Sequence, residues 1–334
     1  MSDRQLDLFA DASDESLRPG PPHRLFTLRE QLPPGVAFGT SSWTFEGWKG
    51  LVYHRTYGDR DAFVRDSLAE YVRFPLFDLV GVDRTYYLPL REEEARHMAG
   101  QLPRGFRATF KVWNEVTTRV FPDHRRFGER AGRPNPSFLD AELFRSQVAG
   151  PLLATPLVDH VAAMILEIAP GPGRADAFEA ALEAFLRDAP RAFHYAVELR
   201  DRHLLTERYL DLLRAHGGAS HVVSYWSRMP TVREQLSRDV LMSDRVVCRL
   251  MIPPGGSYEE LKAAYAPFDR LHRVDQPMRE DTVHLVRAAR RSGREALVIV
   301  NNKVEGSSPL TVAGIAERLV EGARDSPRIA ETGD

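Results

Sequence analysis

The chain has 334 residues, 43% of them hydrophobic and 28% charged, with a formal net charge of −2. That length and mixture suit one large α/β barrel or two ordinary domains, and they exclude a fibrous or wholly disordered chain. No apolar run approaches the roughly 20 residues that cross a bilayer, no secretory leader is visible, and bulk charge advertises no nucleic-acid partner. The single cysteine, Cys248, excludes an intramolecular disulfide and fits a reducing, cytoplasmic setting.

Residues 1–34 are polar, rich in Asp, Ser and Pro, and without sustained periodicity, so they are expected to form a flexible tail. Inside it stands Gln5-Leu6-Asp7-Leu8-Phe9. This pentapeptide resembles the short motif by which bacterial replication and repair proteins dock on the sliding clamp. Apolar anchors from an unfolded segment would fill preformed pockets, with the glutamine orienting them. The alternative is an amphipathic segment that packs on the protein's own surface.

From Val36 onward the pattern is strongly periodic. Apolar strands are expected at 36–41, 79–85, 106–112, 161–168, 195–200, 219–224, 246–251 and 296–301. Helical patterns lie between them at 60–73, 91–100, 138–153, 174–187, 205–216, 232–241, 282–291 and 311–321. Short apolar strands alternating with such helices define βαβ units and a parallel sheet, and eight units close a (β/α)8 barrel over residues 35–325. An open doubly wound sheet is the alternative, but no G-x-G-x-x-G follows the first strand. Asp281 and Ser308 suit helix N-caps, and Gly217 and Gly293 suit C-termini. Residues 326–334 are expected to be disordered. The long connection at 114–138 reads as a charged loop, and that at 252–281 contains a short helix near 258–265.

Period-two alternation then selects the candidate site. In Ala196-Val197-Glu198-Leu199-Arg200 the two charges share a face opposite Val197 and Leu199. The same logic puts Asp83, Lys111, Glu167 and Arg249 on inward faces near strand ends, where barrels carry their sites. Three acids and three bases there form either a site or a closed ionic plug. Lysine sharpens the choice: of 45 lysines and arginines only four are lysine, and Lys111 is one of them. Trp43, Trp48, Trp113 and Trp226 all follow expected strands, with Tyr86 nearby, and could stack a sugar or base. Asn301 and Asn302 end the last strand, and Ser307-Ser308 opens a helix that could cradle phosphate. No histidine pair has metal-ligand spacing, so no metal is expected, although Asp83, Glu167 and Glu198 could hold a hard cation. No cofactor is indicated. Cys248 alternates with Arg249 and should face the helices.

At these residues the chain resembles the domain of unknown function 72 (YecE-like) family. The stretches that carry the resemblance are Gly39-Thr40-Ser41-Ser42-Trp43, Thr85-Tyr86-Tyr87-Leu88-Pro89, Phe110-Lys111, residues 195–200, Arg249-Leu250 and Asn301-Asn302. The resemblance implies a (β/α)8-type barrel and a site at its mouth, and it implies no reaction. The chain departs from the usual pattern at Gly81, Asp83, Glu167 and Met251, where glutamate, asparagine, glutamine and histidine are typical.

The expected function is binding or processing of a phosphate- or nucleotide-containing substrate at the barrel mouth, with a phosphorylated small molecule or nucleic acid as partner and a link to DNA replication or repair through the tail. Lys111, Glu167 and Glu198 are the candidate catalytic residues, with Trp43, Asp83, Tyr86, Arg200, Arg249, Asn301 and Asn302 binding substrate. A non-catalytic nucleic-acid or clamp adaptor is one alternative. A glycoside hydrolase using Glu167 and Glu198 is another, requiring carboxyl groups across an open cleft. The tail motif carries its own test. A peptide covering residues 2–11 should bind a purified bacterial sliding clamp with an affinity on the order of micromolar. Replacing Leu8 and Phe9 by alanine should remove the binding, and a flat titration with the unaltered peptide would exclude clamp docking.

Overall fold

The structure, a computed structural model, describes residues 22–324. The motif at residues 5–9 and the stretch 326–334 lie outside the described residues. Eight parallel strands form a closed barrel in sequential order. They are β1 (Val36–Thr40), β2 (Leu79–Val82), β3 (Arg107–Lys111), β4 (Val161–Ile168), β5 (Tyr195–Leu199), β6 (Ala219–Tyr225), β7 (Arg245–Leu250) and β8 (Glu295–Val300). Each pairs with the next, and β1 closes on β8. The fold is therefore the expected α/β, (β/α)8 barrel.

Alternation along the strands divides the core in two. Outward residues such as Phe38, Val80, Phe110, Leu166, Val197 and Cys248 join the helices in one continuous apolar shell. Inward residues Ala37, Leu79, Ile165, Ala196, Val222 and Leu297 form a second, separate cluster inside the barrel. This inner cluster is the plug on which the polar residues at the strand ends stand. Cys248 belongs to the shell, as alternation requires, and burial pushes its thiol up to about 12.

Several boundaries differ from expectation for local reasons. Residues 23–31, expected within the tail, are helical. Helix His23–Gln31 buries Leu25 and Leu28 against the shell, and Arg29 binds Asp78 through both guanidinium nitrogens. Apolar residues spaced by three were too few there to show as a periodic pattern. Strand β2 stops at Val82, and Asp83–Tyr86 is a 3-10 turn in which the Thr85 hydroxyl donates to the carbonyls of Val82 and Lys111. The helix expected from residue 282 begins at Gln276, where Asp275 accepts from the Met278 N–H. Asp281, expected as its cap, lies inside that helix and pairs with Arg233. The stretch expected as one helix at 138–153 contains a π-helical turn, Phe144–Ala149. Gly217 ends helix Glu207–His216 in the left-handed region, as its position suggested.

The connection at 114–138 is built more firmly than a solvated loop. Val120 bridges Pro134, Phe121 and Phe127 are buried, and Glu115 pairs with Arg130. Helix Tyr258–Tyr265 stands where the second long connection was expected to fold.

Closure depends on small residues between β1 and β2. A Cβ on Gly39 would collide with the Leu79 carbonyl, which is backbone and cannot step aside. Gly39→Ala should therefore cost about 3 kcal/mol or more of stability in urea unfolding. A loss near zero would show that the strands can part there.

Candidate functional site at the barrel mouth

The six inward charges form a closed ring of alternating sign. Asp83 lies 3.3 Å from Lys111 Nζ, which lies 2.6 Å from Glu167 Oε2. The same Glu167 oxygen receives Arg200 Nη2 at 2.6 Å, and that nitrogen lies 2.8 Å from Glu198 Oε1. Arg249 then closes the circle, with Nη1 at 2.5 Å from Glu198 Oε2 and Nη2 at 2.6 Å from Asp83 Oδ2. Register explains how these groups meet. Glu167 on β4 and Glu198 on β5 are direct partners, two like charges side by side, and Arg200 stands across both.

The ring has two levels. Glu198 and Arg249 have no exposed surface and form a floor on the apolar plug. Asp83, Lys111, Glu167 and Arg200 rise above it and line a cavity of about 350 Å³. Its walls include Ser41, Tyr86, Trp226, Tyr258, Asn301 and Lys303. Arg200 stacks over Trp226 at 4.1 Å from the ring centre, and Lys111 lies 5.3 Å from that of Tyr86. Asn301 Nδ2 donates to Ser41 Oγ at 2.8 Å, joining the two strands that close the barrel.

Electrostatics follow from this packing. Burial would raise the Glu167 pKa, but Arg200, then Lys111 and Arg249, outweigh it and hold the carboxyl well below the usual range. Burial likewise opposes the Arg249 charge, yet Asp83, Glu198 and Glu167 hold its pKa above the ordinary arginine value. Lys303 differs. Burial lowers its pKa to about 8, with Lys262 adding to the effect and Glu259 and Asp83 opposing it. Its ammonium lies 4.0 Å from the Tyr258 ring centre and 5.7 Å from that of Phe268, and no acid pairs with it among the described residues.

Of the residues singled out by sequence, Asp83, Tyr86, Lys111, Glu167, Arg200 and Asn301 line the cavity. Glu198 and Arg249 belong to the same ring but lie beneath it, so neither is placed to touch a substrate. Trp43 is a correction: it packs in the outer shell, away from the cavity lining. Trp48 is also in that shell, and Trp113 packs against it, so of the four tryptophans only Trp226 lines the mouth. Asn302 is a second correction. It is buried, and its Oδ1 accepts the Ser308 N–H at 2.7 Å. The helix N-terminus proposed as a phosphate cradle is thus capped by the protein's own amide, and Ser307 and Ser308 are themselves buried. Lys303, which no strand pattern singles out, also lines the cavity, and the scarcity of lysine that marks Lys111 marks it equally. The acids are engaged by the cations of the ring, and among the described residues no group of three His, Cys, Asp or Glu side chains could hold a metal ion.

Architecture and mouth together define a (β/α)8-barrel protein with an ionic site at the carboxyl ends of its strands. The chain belongs to the family described as "Protein of unknown function DUF72", whose model matches residues 37–332. Solved structures that share the fold include two DUF72 family proteins. A DUF72 family protein (EF0366) from Enterococcus faecalis V583 is 17% identical, with a TM-score of 0.59 over 85% of this chain and 95% of that one. A DUF72 family protein (TM1631) from Thermotoga maritima MSB8 is 20% identical, with a TM-score of 0.54 over 86% and 99% of the two chains. No curated relative matches the sequence.

The usual glutamate could not stand at Gly81 without backbone movement. A Cβ there would lie 2.9 Å from both Ser41 Cα and the Thr40 carbonyl oxygen. Asp83, two residues on, supplies the acid that closes the ring.

Removing one member should expose the ring's energetics. Glu198→Gln leaves Arg249 and Arg200 short of a buried partner and should cost about 3–5 kcal/mol in urea unfolding. The double variant Glu198→Gln/Arg249→Met should cost less than the two single changes together. Strict additivity would show that the pair is not coupled.

Proposed function

We propose that the barrel mouth binds, and acts on, a small molecule carrying a phosphate or a similar anionic group. The observation that carries this reading is the charge balance. The ring's three acids and three bases cancel, Arg84 pairs with Glu94, and Lys303 remains as an additional positive charge. A cation without an acid partner among the described residues, held in a concave and largely desolvated site, favours an anionic ligand.

Arg200 supports the same reading. Its Nη2 serves Glu167 and Glu198, while Nε and Nη1 have no hydrogen-bond partner among the described residues. Buried donors without partners are costly, and a ligand oxygen reached by a small shift of the Trp226 ring would satisfy them. Tyr86, Tyr258 and Trp226 offer faces against which a base or sugar ring of the ligand would pack. Glu167 stays ionised under this arrangement. Its role is to orient Lys111 and Arg200, since a carboxylate held so far below neutrality is a poor proton donor.

The geometry does not favour a glycosidase. Glu198 is beneath the cavity and both candidate carboxylates are paired with guanidinium groups, so they do not flank an open cleft.

Sulfate does not titrate near neutrality and serves as the reference anion, with inorganic phosphate and adenosine monophosphate as further ligands. Calorimetric titration of the full chain should show binding that Lys303→Met weakens about tenfold. The pH dependence has a fixed sign, because the protonated amine is the binding form. Sulfate affinity should be level below the Lys303 pKa and fall as pH rises through about 8. Equal affinities for the unaltered chain and Lys303→Met would refute the anion site.

A further inference from the structure

We propose that Lys303 is a covalent nucleophile that forms an imine with an aldehyde or ketone carbonyl of the bound anion. This rests on the anion-binding reading of the mouth and adds to it the substrate class, an anionic carbonyl compound.

Placement comes first. Lys303 follows β8 in a turn fixed from several sides. Its N–H donates to Asn301 Oδ1 at 3.0 Å, and the Gly306 N–H reaches the Asn302 carbonyl at 2.7 Å. Glu305, fully buried, holds Arg279 at 2.7 Å and accepts the Asp275 N–H at 2.6 Å. A rigid turn of this kind delivers the amine to one place on the cavity wall, as near-attack geometry requires. The side chain lies against Tyr258 and Phe268, which strip water from the amine without offering it an acid. Desolvation beside aromatic rings favours the neutral, nucleophilic form of a lysine.

The choice of residue points the same way. A position that needed only positive charge could carry arginine, as nearly all cationic positions in this chain do. Lysine can give up its proton and arginine cannot. Two of the four lysines, Lys49 and Lys262, are exposed on the surface, and the other two are buried at this mouth. Lys111 is engaged by two acids, Asp83 and Glu167. Lys303 has no such partner among the described residues. The groups that set its charge are Asp83 and Lys111 at the strand ends, and Tyr258, Glu259 and Lys262 on the neighbouring helix.

The step balances without a further reactant. The amine nitrogen bonds to the carbonyl carbon as the C=O pair moves to oxygen. Nitrogen gives up one proton and oxygen gains one, forming a carbinolamine. That oxygen then leaves as water with a second proton, and a C=N bond remains. When protonated, the imine carries the same charge as the resting ammonium, so the attraction for the substrate's anionic group is kept.

Glyceraldehyde 3-phosphate, its uncharged analogue glyceraldehyde, and cyanoborohydride provide the test. Incubated with the full chain and reduced, the phosphate-bearing aldehyde should leave one adduct, mapped by peptide mass to Lys303. Labelling of Lys303 should exceed that of Lys49 and Lys262 by about tenfold or more, because burial favours its neutral amine and the other two are exposed outside the cavity. Lys303→Arg should take no adduct at the mouth while still binding sulfate. Adducts spread evenly over the four lysines, or sulfate binding with no adduct at Lys303, would overturn the nucleophile and leave the anion site standing. Equal labelling of Lys303 by the charged and uncharged aldehydes would support the nucleophile while counting against the anion site.

Discussion

Glu198 carries its charge at the floor of the barrel, where the apolar plug lies below and the upper ring lies above. A carboxylate in such a place is tolerable only beside fixed cations, and Arg249 and Arg200 supply them from β7 and from the end of β5. Those cations in turn need Asp83 and Glu167, and Glu167 needs Lys111. The alternating ring is the smallest arrangement that satisfies all six. It binds the ends of five strands to one another, so the shape of the mouth is coupled to the closure of the barrel. A site built on this floor is preorganised, because moving any one charge would leave another unpaired in a region of low dielectric.

The ring also explains why the mouth is not simply a plug. Only its lower level, Glu198 and Arg249, is fully sealed. The upper members keep one side toward the cavity, and the turn after β8 adds Lys303 there while its acid, Glu305, is engaged by Arg279. The asymmetry arises in the connections. The turn after β8 is anchored by Glu305 and Arg279, while Tyr225 at the end of β6 donates to Asp275 at 2.6 Å. The segment carrying Tyr258 and Phe268 is thereby held over Lys303, and the surroundings of the amine follow from those buried anchors.

Apolar alternation determined much of this protein in advance. Strands of four to eight residues with one greasy face and spaced helices have few packed solutions, and eight repeats leave a closed barrel. The same period-two rule placed Glu198 and Arg200 inward and Cys248 outward, because a side chain's face depends only on its position along a strand. What local sequence could not show was depth. Glu198 and Glu167 read alike as strand-end acids, yet one is sealed and the other borders the cavity. That difference is set by what packs around each: Arg200 and Arg249 enclose Glu198, while Glu167 keeps a side toward the cavity.

Tertiary contacts alone decided the rest. Asn301 and Asn302 are neighbours of one chemical type, but the first faces the cavity and the second turns back to cap a helix. Trp43 and Trp226 both follow strands, and only packing of the surrounding loops makes one a shell residue and the other a wall. Residues 23–31 lacked a visible pattern, because two buried leucines and one arginine–aspartate pair suffice to dock a helix on a surface already formed. The lysine at 303 was visible as a rare residue, but its lack of an acid partner among the described residues is a property of three-dimensional neighbours. Strand identity and facing were thus legible from the sequence, since they depend on near neighbours along the chain. Depth, pairing and access depend on groups brought together from distant strands, and only the folded barrel decided them.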